Sequence, residues 1–224
     1  MKTDNRPAVV LLSGGQDSTT CLYWAIDAGY GPIHALGFDY GQRHRVELEQ
    51  AAKIAKLAGA GYAVLPLPTL AAIGDSALIG PGDVGAIDRA GLPSSFVPGR
   101  NLLFLTAAAA YAYKLGAHTL VGGMCETDYS GYPDCRRETL DALEQAIRLG
   151  MEYEIEIVTP LMRLSKRQTV ELAHGLPGCW DALALTLTCY EGERPGCGKC
   201  PACLLRAKGF AEAGHPDPAA EPAQ

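Results

Sequence analysis

The most constraining feature of the chain is an abrupt change of pattern after its first apolar run. Residues 8–12 read Ala-Val-Val-Leu-Leu; Ser13-Gly14-Gly15-Gln16-Asp17-Ser18 follows at once, then a stretch of helical length to Ala28, stopped by Gly29. Five consecutive apolar residues predict a short strand covered on both faces. Such a strand belongs in a sheet with helices on either side, and its junction with the next helix is where open sheets of this kind hold ligands. Gly14 and Gly15 carry no Cβ, so the backbone can turn sharply and approach a ligand closely. The first-turn N–H groups of the helix lack partners within it and favour an anion. Ser13, Ser18 and Thr19 add hydroxyls. The competing explanation is an ordinary turn in which Ser or Asp caps the helix. The Walker phosphate loop does not apply, because the loop has no Lys.

The same alternation continues along the chain. Strands are expected at 33–38, 62–67, 119–122 and 154–158, with helices at 45–58, 101–115, 136–149 and 166–173. Strand–helix alternation predicts an α/β fold, an open parallel sheet with helices on both faces. Residues 68–99, rich in Gly, Pro and Asp, read as a long surface loop. The expected organisation is an α/β domain over 1–186, a metal-binding segment packed on it over 187–212, and a disordered tail over 213–224.

Composition narrows the classes. Apolar residues make up 48% of the 224, and the formal net charge is −6. That balance disfavours bulk nucleic-acid binding, which wants a basic surface. No run of twenty apolar residues occurs, so no membrane span is expected. The N-terminal run is too short for a signal peptide, which points to the cytoplasm.

In that reducing setting eight cysteines are read for metal or chemistry rather than for disulfides. Cys189, Cys197, Cys200 and Cys203 lie in Thr-Cys-Tyr-Glu-Gly-Glu-Arg-Pro-Gly-Cys-Gly-Lys-Cys-Pro-Ala-Cys. Four thiolates that converge suit a closed, structural Zn²⁺ site, one ion per chain, with Gly196, Gly198 and Pro201 supplying turns. The same spacing occurs in ferredoxin-type iron–sulfur sites, which is the rival reading. Cys21 and Cys179 read as packing residues, and Cys125 and Cys135 flank a loop without an evident His partner.

Ser-Gly-Gly-Gln-Asp-Ser after a buried strand resembles the pyrophosphate loop of the N-type ATP pyrophosphatases (the adenine nucleotide alpha hydrolase-like fold), in which ATP is cleaved between its α and β phosphates and an acid or amide oxygen is adenylated. Three further stretches narrow the resemblance: Val97-Pro98-Gly99-Arg100-Asn101, then Asp128-Tyr129-Ser130-Gly131-Tyr132-Pro133-Asp134-Cys135-Arg136, then Thr159-Pro160-Leu161-Met162 with Leu164-Ser165-Lys166. With the glycine loop and the cysteine cluster they make the chain, from about Val9 to Phe210, similar to the QueC family of 7-cyano-7-deazaguanine synthases.

The resemblance implies ATP-dependent conversion of 7-carboxy-7-deazaguanine and ammonia to 7-cyano-7-deazaguanine, on the route to queuosine in tRNA. It also implies zinc, magnesium-ATP and a homodimer; charge and the lack of an apolar span leave nucleic acid and membrane outside the expected partners. Leu12, Ser13, Gly14, Gly15, Gln16, Asp17, Ser18, Thr19, Thr20, Cys21 and Leu22 are then the ATP loop and its flanks, with Asp17 approaching a magnesium ion. Residues 37–40 would meet the adenine through backbone groups. Arg100 is a candidate for phosphate or carboxylate contact, against a plain surface Arg at a helix start. Lys166 would stabilise phosphate charge, against a solvated Lys. Asp128 or Asp134 would accept the donors on the deazaguanine edge, and Tyr129 or Tyr132 would stack on its ring. His44 lies near the expected nucleotide. Two other classes stay open: a tRNA-thiolating relative with a cysteine-bound cluster, and a zinc-knuckle binding module without catalysis.

Overall fold

The structure is a computed structural model and describes residues 6–73, 76–80, 82–87, 91–127 and 132–220. Five strands form one sheet: β1 (Ala8–Leu11), β2 (Ile33–Asp39), β3 (Gly61–Pro66), β4 (Thr119–Val121) and β5 (Glu156–Val158). Every pairing is parallel, and the order is β3-β2-β1-β4-β5. The helices are α1 (Gln16–Asp27), α2 (Val46–Leu57), α3 (Pro68–Ile73), α4 (Arg100–Leu115), α5 (Arg137–Met151), α6 (Lys166–Gly175), α7 (Cys179–Leu183) and α8 (Pro201–Ala213). Among the described residues, no helix is long and apolar enough to cross a membrane.

Central strand β1 is buried at every position. Its side chains alternate between two cores, as the two-residue period of a strand requires. Val9 and Leu11 join Leu36, Leu105, Leu120 and Leu140 under α4 and α5. Val10 and Leu12 join Leu22, Ile54, Val170 and Leu183 under α1, α2, α6 and α7. Each fully buried Leu removes enough apolar surface from water to contribute roughly 1.5–3 kcal/mol. The chain reverses its direction of travel across the sheet between β1 and β4, and the crevice beyond their carboxyl ends is where ligands bind in this architecture.

Three regions differ from expectation. The stretch after β3 is not a bare surface loop. It opens with α3, and Leu70, Ala77, Val84 and Val97 are all buried, so it packs inward over the end of the sheet. The cysteine segment is not a knuckle of turns: Cys200 is the N-cap of α8 and Pro201 occupies its first turn, where a missing N–H costs nothing. Gly209 lets α8 lie on α6, since a Cβ there would come 2.9 Å from Lys166 Cβ. Finally, the tail is held through residue 220. Asp217 grips Arg206 through Oδ2–Nε at 2.6 Å and Oδ1–Nη2 at 2.8 Å, and Ala219 is buried.

Gly14 has a structural reason that the sequence did not reveal. Its φ is +86°, and a Cβ would stand 2.3 Å from the Glu47 carbonyl oxygen and 3.0 Å from the Ala51 nitrogen. The residue lets the turn after β1 touch the backbone of α2. Gly14→Ala is expected to destabilise the protein by about 2–4 kcal/mol, combining left-handed strain with a backbone clash. Urea unfolding measures this; a midpoint equal to wild type would show that the contact is dispensable.

Candidate active site

A cavity of about 360 Å³ opens at the crevice between β1 and β4. Its floor is the carboxyl ends of β1 and β2, with Leu11, Leu12, Leu36 and Phe38. Ser13, Gly15, Gln16, Asp17 and Ser18 form one side, and the starts of α2 and α4 supply Glu47, Leu48, Arg100, Asn101 and Phe104. Lys166, residues 187–190 and Arg206 close it from the α8 side.

The glycine loop faces this space with the Gln16 side-chain amide and one Asp17 oxygen uncommitted. The N-cap of α1 is Gly15, and no side chain caps the helix. Gln16 is 2% exposed, yet both its Nε2 and its Oε1 lack partners. Buried polar groups are normally paired, so an orphaned side-chain amide against a cavity points to a bound molecule. Asp17 and Lys166 meet at 2.5 Å through Oδ2 and Nζ, while Asp17 Oδ1 is unpartnered. A capping box between Ser165 and Gln168 fixes the start of α6 and therefore the root of Lys166. Ser13 and Ser18 bond one another at 3.1 Å across the turn. Of the expected loop residues, Leu12, Ser13, Gly15, Gln16, Asp17 and Ser18 border the cavity. Thr19, Thr20, Cys21 and Leu22 are fully buried behind it; Thr20 Oγ1 donates back to the Gln16 carbonyl and Cys21 packs in the core.

Arg100 is a half-buried cation at the cavity wall rather than a solvated surface one. Its guanidinium carbon lies 5.9 Å from the Tyr40 ring centre and 6.0 Å from that of Phe104, and its Nε has no partner. Burial alone would lower its pKa, but Tyr40, Tyr132, Tyr190 and Asp134 around it reverse that, so it is held firmly charged. Phe38 stacks on Phe104 at 4.2 Å, giving the cavity an aromatic wall. Two of the backbone groups expected to meet an adenine already have a side-chain partner: the Gln42 amide accepts from Tyr40 N–H at 2.9 Å and donates to the Phe38 carbonyl at 3.1 Å.

Asp134 does not border the cavity. It is 4% exposed, and its Oδ2 accepts the Asn101 N–H at 3.0 Å, closing the first turn of α4 beside Arg100. Tyr132 does border it, its hydroxyl 2.7 Å from Ser95 Oγ. Asp128 and Tyr129 lie outside the described residues. His44 borders the cavity with Nε2 unpartnered. Cys125 and Cys135 also line it, but Asn101 Nδ2 donates to Cys135 Sγ at 3.2 Å and Cys125 Sγ bonds the Leu164 carbonyl.

Two site residues were missed from sequence. Glu47, in the first turn of α2, looked like a routine acidic residue at a helix start. Burial raises its pKa to about 7, despite the opposing effect of Arg100 and a hydrogen bond from Gln42. Thr188 accepts the Gln16 N–H at 3.4 Å, and the neighbouring Leu187 N–H reaches the Gly14 carbonyl at 2.9 Å. Nothing in local sequence links positions so far apart.

The sulfur atoms of Cys189, Cys197, Cys200 and Cys203 all lie within 4.8 Å of one another. A tetrahedron with metal–sulfur bonds of about 2.3 Å has edges near 3.8 Å, so a small contraction would seat one ion. Backbone N–H groups of Cys197 and Cys200 already point at Cys189 and Cys197 sulfur, as thiolate ligands require. The donor set therefore fits a metal. Cys189 also borders the cavity, so the metal segment and the glycine loop share one wall.

Residues 7–214 match the family described as "Queuosine biosynthesis protein QueC". The 7-cyano-7-deazaguanine synthase of Chromobacterium violaceum is 59% identical over 228 residues, covering 100% of this chain and 97% of that protein. The protein of the same name from Laribacter hongkongensis is 55% identical, covering 96% and 94%. Among solved structures, a 4-thiouridine synthetase–RNA complex with bound ATP is similar at a TM-score of 0.54 and 17% identity, covering 93% of this chain and 50% of that one. The U34-tRNA thiolase NcsA from Methanococcus maripaludis, with its 4Fe–4S cluster, gives 0.52 at 16%, covering 95% and 68%. These two likenesses speak to the parallel-sheet fold. The family match, spanning nearly the whole sequence, and relatives identical at more than half of their positions establish that the chain belongs to the QueC family.

Proposed function

We propose that the chain is a 7-cyano-7-deazaguanine synthase, a C–N bond-forming ligase that activates 7-carboxy-7-deazaguanine with ATP and takes ammonia as its second substrate. The observation that carries the reading is the orphaned Gln16 amide beside the uncapped start of α1, facing a cavity that also holds Arg100 and the Asp17–Lys166 pair. The names of relatives at 59% and 55% identity supply the product, 7-cyano-7-deazaguanine, while the carboxylate substrate and ammonia rest on the family resemblance.

A carboxylate is a poor electrophile and its oxygen a poor leaving group. Its attack on the α-phosphorus of ATP expels pyrophosphate and makes a mixed anhydride. Ammonia then adds to the carbonyl carbon and AMP leaves, giving the amide. A second adenylation, on the amide oxygen, allows loss of AMP and of the N–H protons to give the nitrile. The chain's own residues position these groups and stabilise charge. First-turn amides of α1, with Ser13 and Ser18, hold the diphosphate; Arg100 meets a phosphate or the carboxylate; Lys166 steadies Asp17. Magnesium, held at Asp17, would neutralise phosphate charge. Glu47 takes a proton from ammonium or from the amide nitrogen. Because Asp134 is committed to α4, Asp128 is the carboxylate assigned to the deazaguanine edge, with Tyr129 and Tyr132 against the ring. The homodimer in this reading rests on the family resemblance. Cytoplasmic residence in this reading likewise rests on the family resemblance.

Zinc is the metal best suited to four thiolates and a closed site, where it stabilises the fold around α8. Purified protein is expected to be colourless with about one zinc per chain; iron with acid-labile sulfide would favour the tRNA-thiolating alternative. Incubation with 7-carboxy-7-deazaguanine, ammonium and magnesium-ATP should yield nitrile and AMP by mass spectrometry. Nitrile formed without AMP would exclude adenylation.

Glu47 gives opposite pH signatures for rate and stability. As a base it must be ionised, so kcat should rise with pH through about 7, and Glu47→Gln should lower kcat by about 100-fold or more while retaining ATP affinity. Its folded pKa lies above the ordinary 4.5, so between about 4.5 and 7 the folded protein keeps a proton that the unfolded chain has released. Wild-type stability therefore falls as pH rises through that window. Glu47→Gln should gain thermal stability relative to wild type from pH 5 to pH 8, and a constant difference in Tm would refute the assignment.

A further inference from the structure

Thr188 is a hydroxyl whose proton no described residue accepts. Its Oγ1 accepts from Arg206 Nη1 at 2.9 Å and from the Gln16 N–H at 3.4 Å. A guanidinium and a peptide N–H can only donate, and a hydroxyl offers two lone pairs and one proton. Both lone pairs are engaged, so the proton must find an acceptor elsewhere. Among the described residues no such acceptor is bonded to it. Thr186 shows the contrast. It too accepts from Arg206 Nη1, at 2.8 Å, but donates to the Leu183 carbonyl at 2.6 Å and is buried away from the cavity. Thr188 is only half-buried and borders the cavity beside Gln16.

Arg206 cannot swing aside to accommodate another arrangement. It is 6% exposed, and its remaining nitrogens hold both Asp217 oxygens at 2.6 and 2.8 Å. Asp217 Oδ1 is fixed in turn by the Ala219 N–H at 2.9 Å. The Thr188 proton is thus directed by exclusion toward the space in front of α1. There the fully uncommitted Gln16 amide and the free Asp17 oxygen also stand.

We propose that Thr188 donates its hydroxyl proton to an oxygen of the pyrophosphate half of ATP, with Arg206 and Asp217 as positioning residues that set its direction. This rests on the ATP-dependent reading above. A donor there serves the reaction as well as binding, because negative charge accumulates on that half as it leaves. The proton is shared, not transferred, and no bond to Thr188 forms.

The test is calorimetric titration of the metal-loaded full chain with magnesium-ATP, magnesium pyrophosphate and AMP, for wild type, Thr188→Val, Thr188→Ala and Thr188→Ser. Loss of a hydrogen bond to a charged group should weaken ATP and pyrophosphate binding about 10- to 100-fold in the Val and Ala variants. AMP binding should be unchanged, which also reports a folded site, and Ser should restore pyrophosphate binding. Asp217→Asn should shift the pyrophosphate-to-AMP affinity ratio in the same direction, by less. The proposal is overturned if Val and Ala bind pyrophosphate as wild type does. It is equally overturned if AMP affinity falls in parallel or if Ser fails to rescue, since either marks a collapsed loop rather than a missing donor. Wild type binding neither ATP nor pyrophosphate would instead remove the ATP-dependent reading, and this proposal with it.

Discussion

The opening turn of a helix cannot satisfy its own amide hydrogens, and in this protein that deficit falls at the end of the most buried strand of the sheet. Everything near the site is arranged around it. Gly14 brings the turn onto the backbone of α2, Gly15 leaves the helix uncapped, and the segment after α7 contributes an N–H to the Gly14 carbonyl and a hydroxyl to the Gln16 N–H. The cavity is therefore not a gap between finished elements. It is the place where four separate parts of the chain present groups that no part satisfies alone.

The electrostatics follow the same logic. Arg100 sits half-buried among phenols, aromatic faces and Asp134, where a cation is costly unless its surroundings favour it. Glu47, at the start of α2, is partly neutralised by burial even with Arg100 nearby. Asp17 and Lys166 form a second pair with one carboxylate oxygen spare. A site arranged this way keeps a fixed cation and open donors for an incoming triphosphate, so little reorganisation is needed on binding.

The legible parts of the sequence were those with short-range regularity. β1 is a continuous apolar run, α2 repeats its apolar face at helical spacing, and the glycine loop between β1 and α1 is a contiguous string. The cysteines announced themselves by spacing. What was not legible depends on distance or on context. Leu70, Ala77, Val84 and Val97 are buried at irregular intervals, so no period marked their stretch as packed. Helix α8 was hidden because its first turn is built from Cys and Pro, read for ligation and turning. Asp217 had no local reason to be fixed, since its partner is a buried Arg on another element. Glu47 and Thr188 are ordinary residue types whose roles come from what faces them. Asp134 lay in the most family-like stretch, yet its carboxylate serves a helix end.

The bond from Gln16 to Thr188 joins groups 172 positions apart. A nascent chain emerging from the ribosome can therefore assemble β1, α1 and much of the sheet long before the residues that complete the loop have been made. Until they arrive, the half-built crevice exposes unpaired amides without the wall that shapes them. Competence for catalysis is in this sense a late event in the life of the molecule, set by translation of its final stretch rather than by collapse of its core.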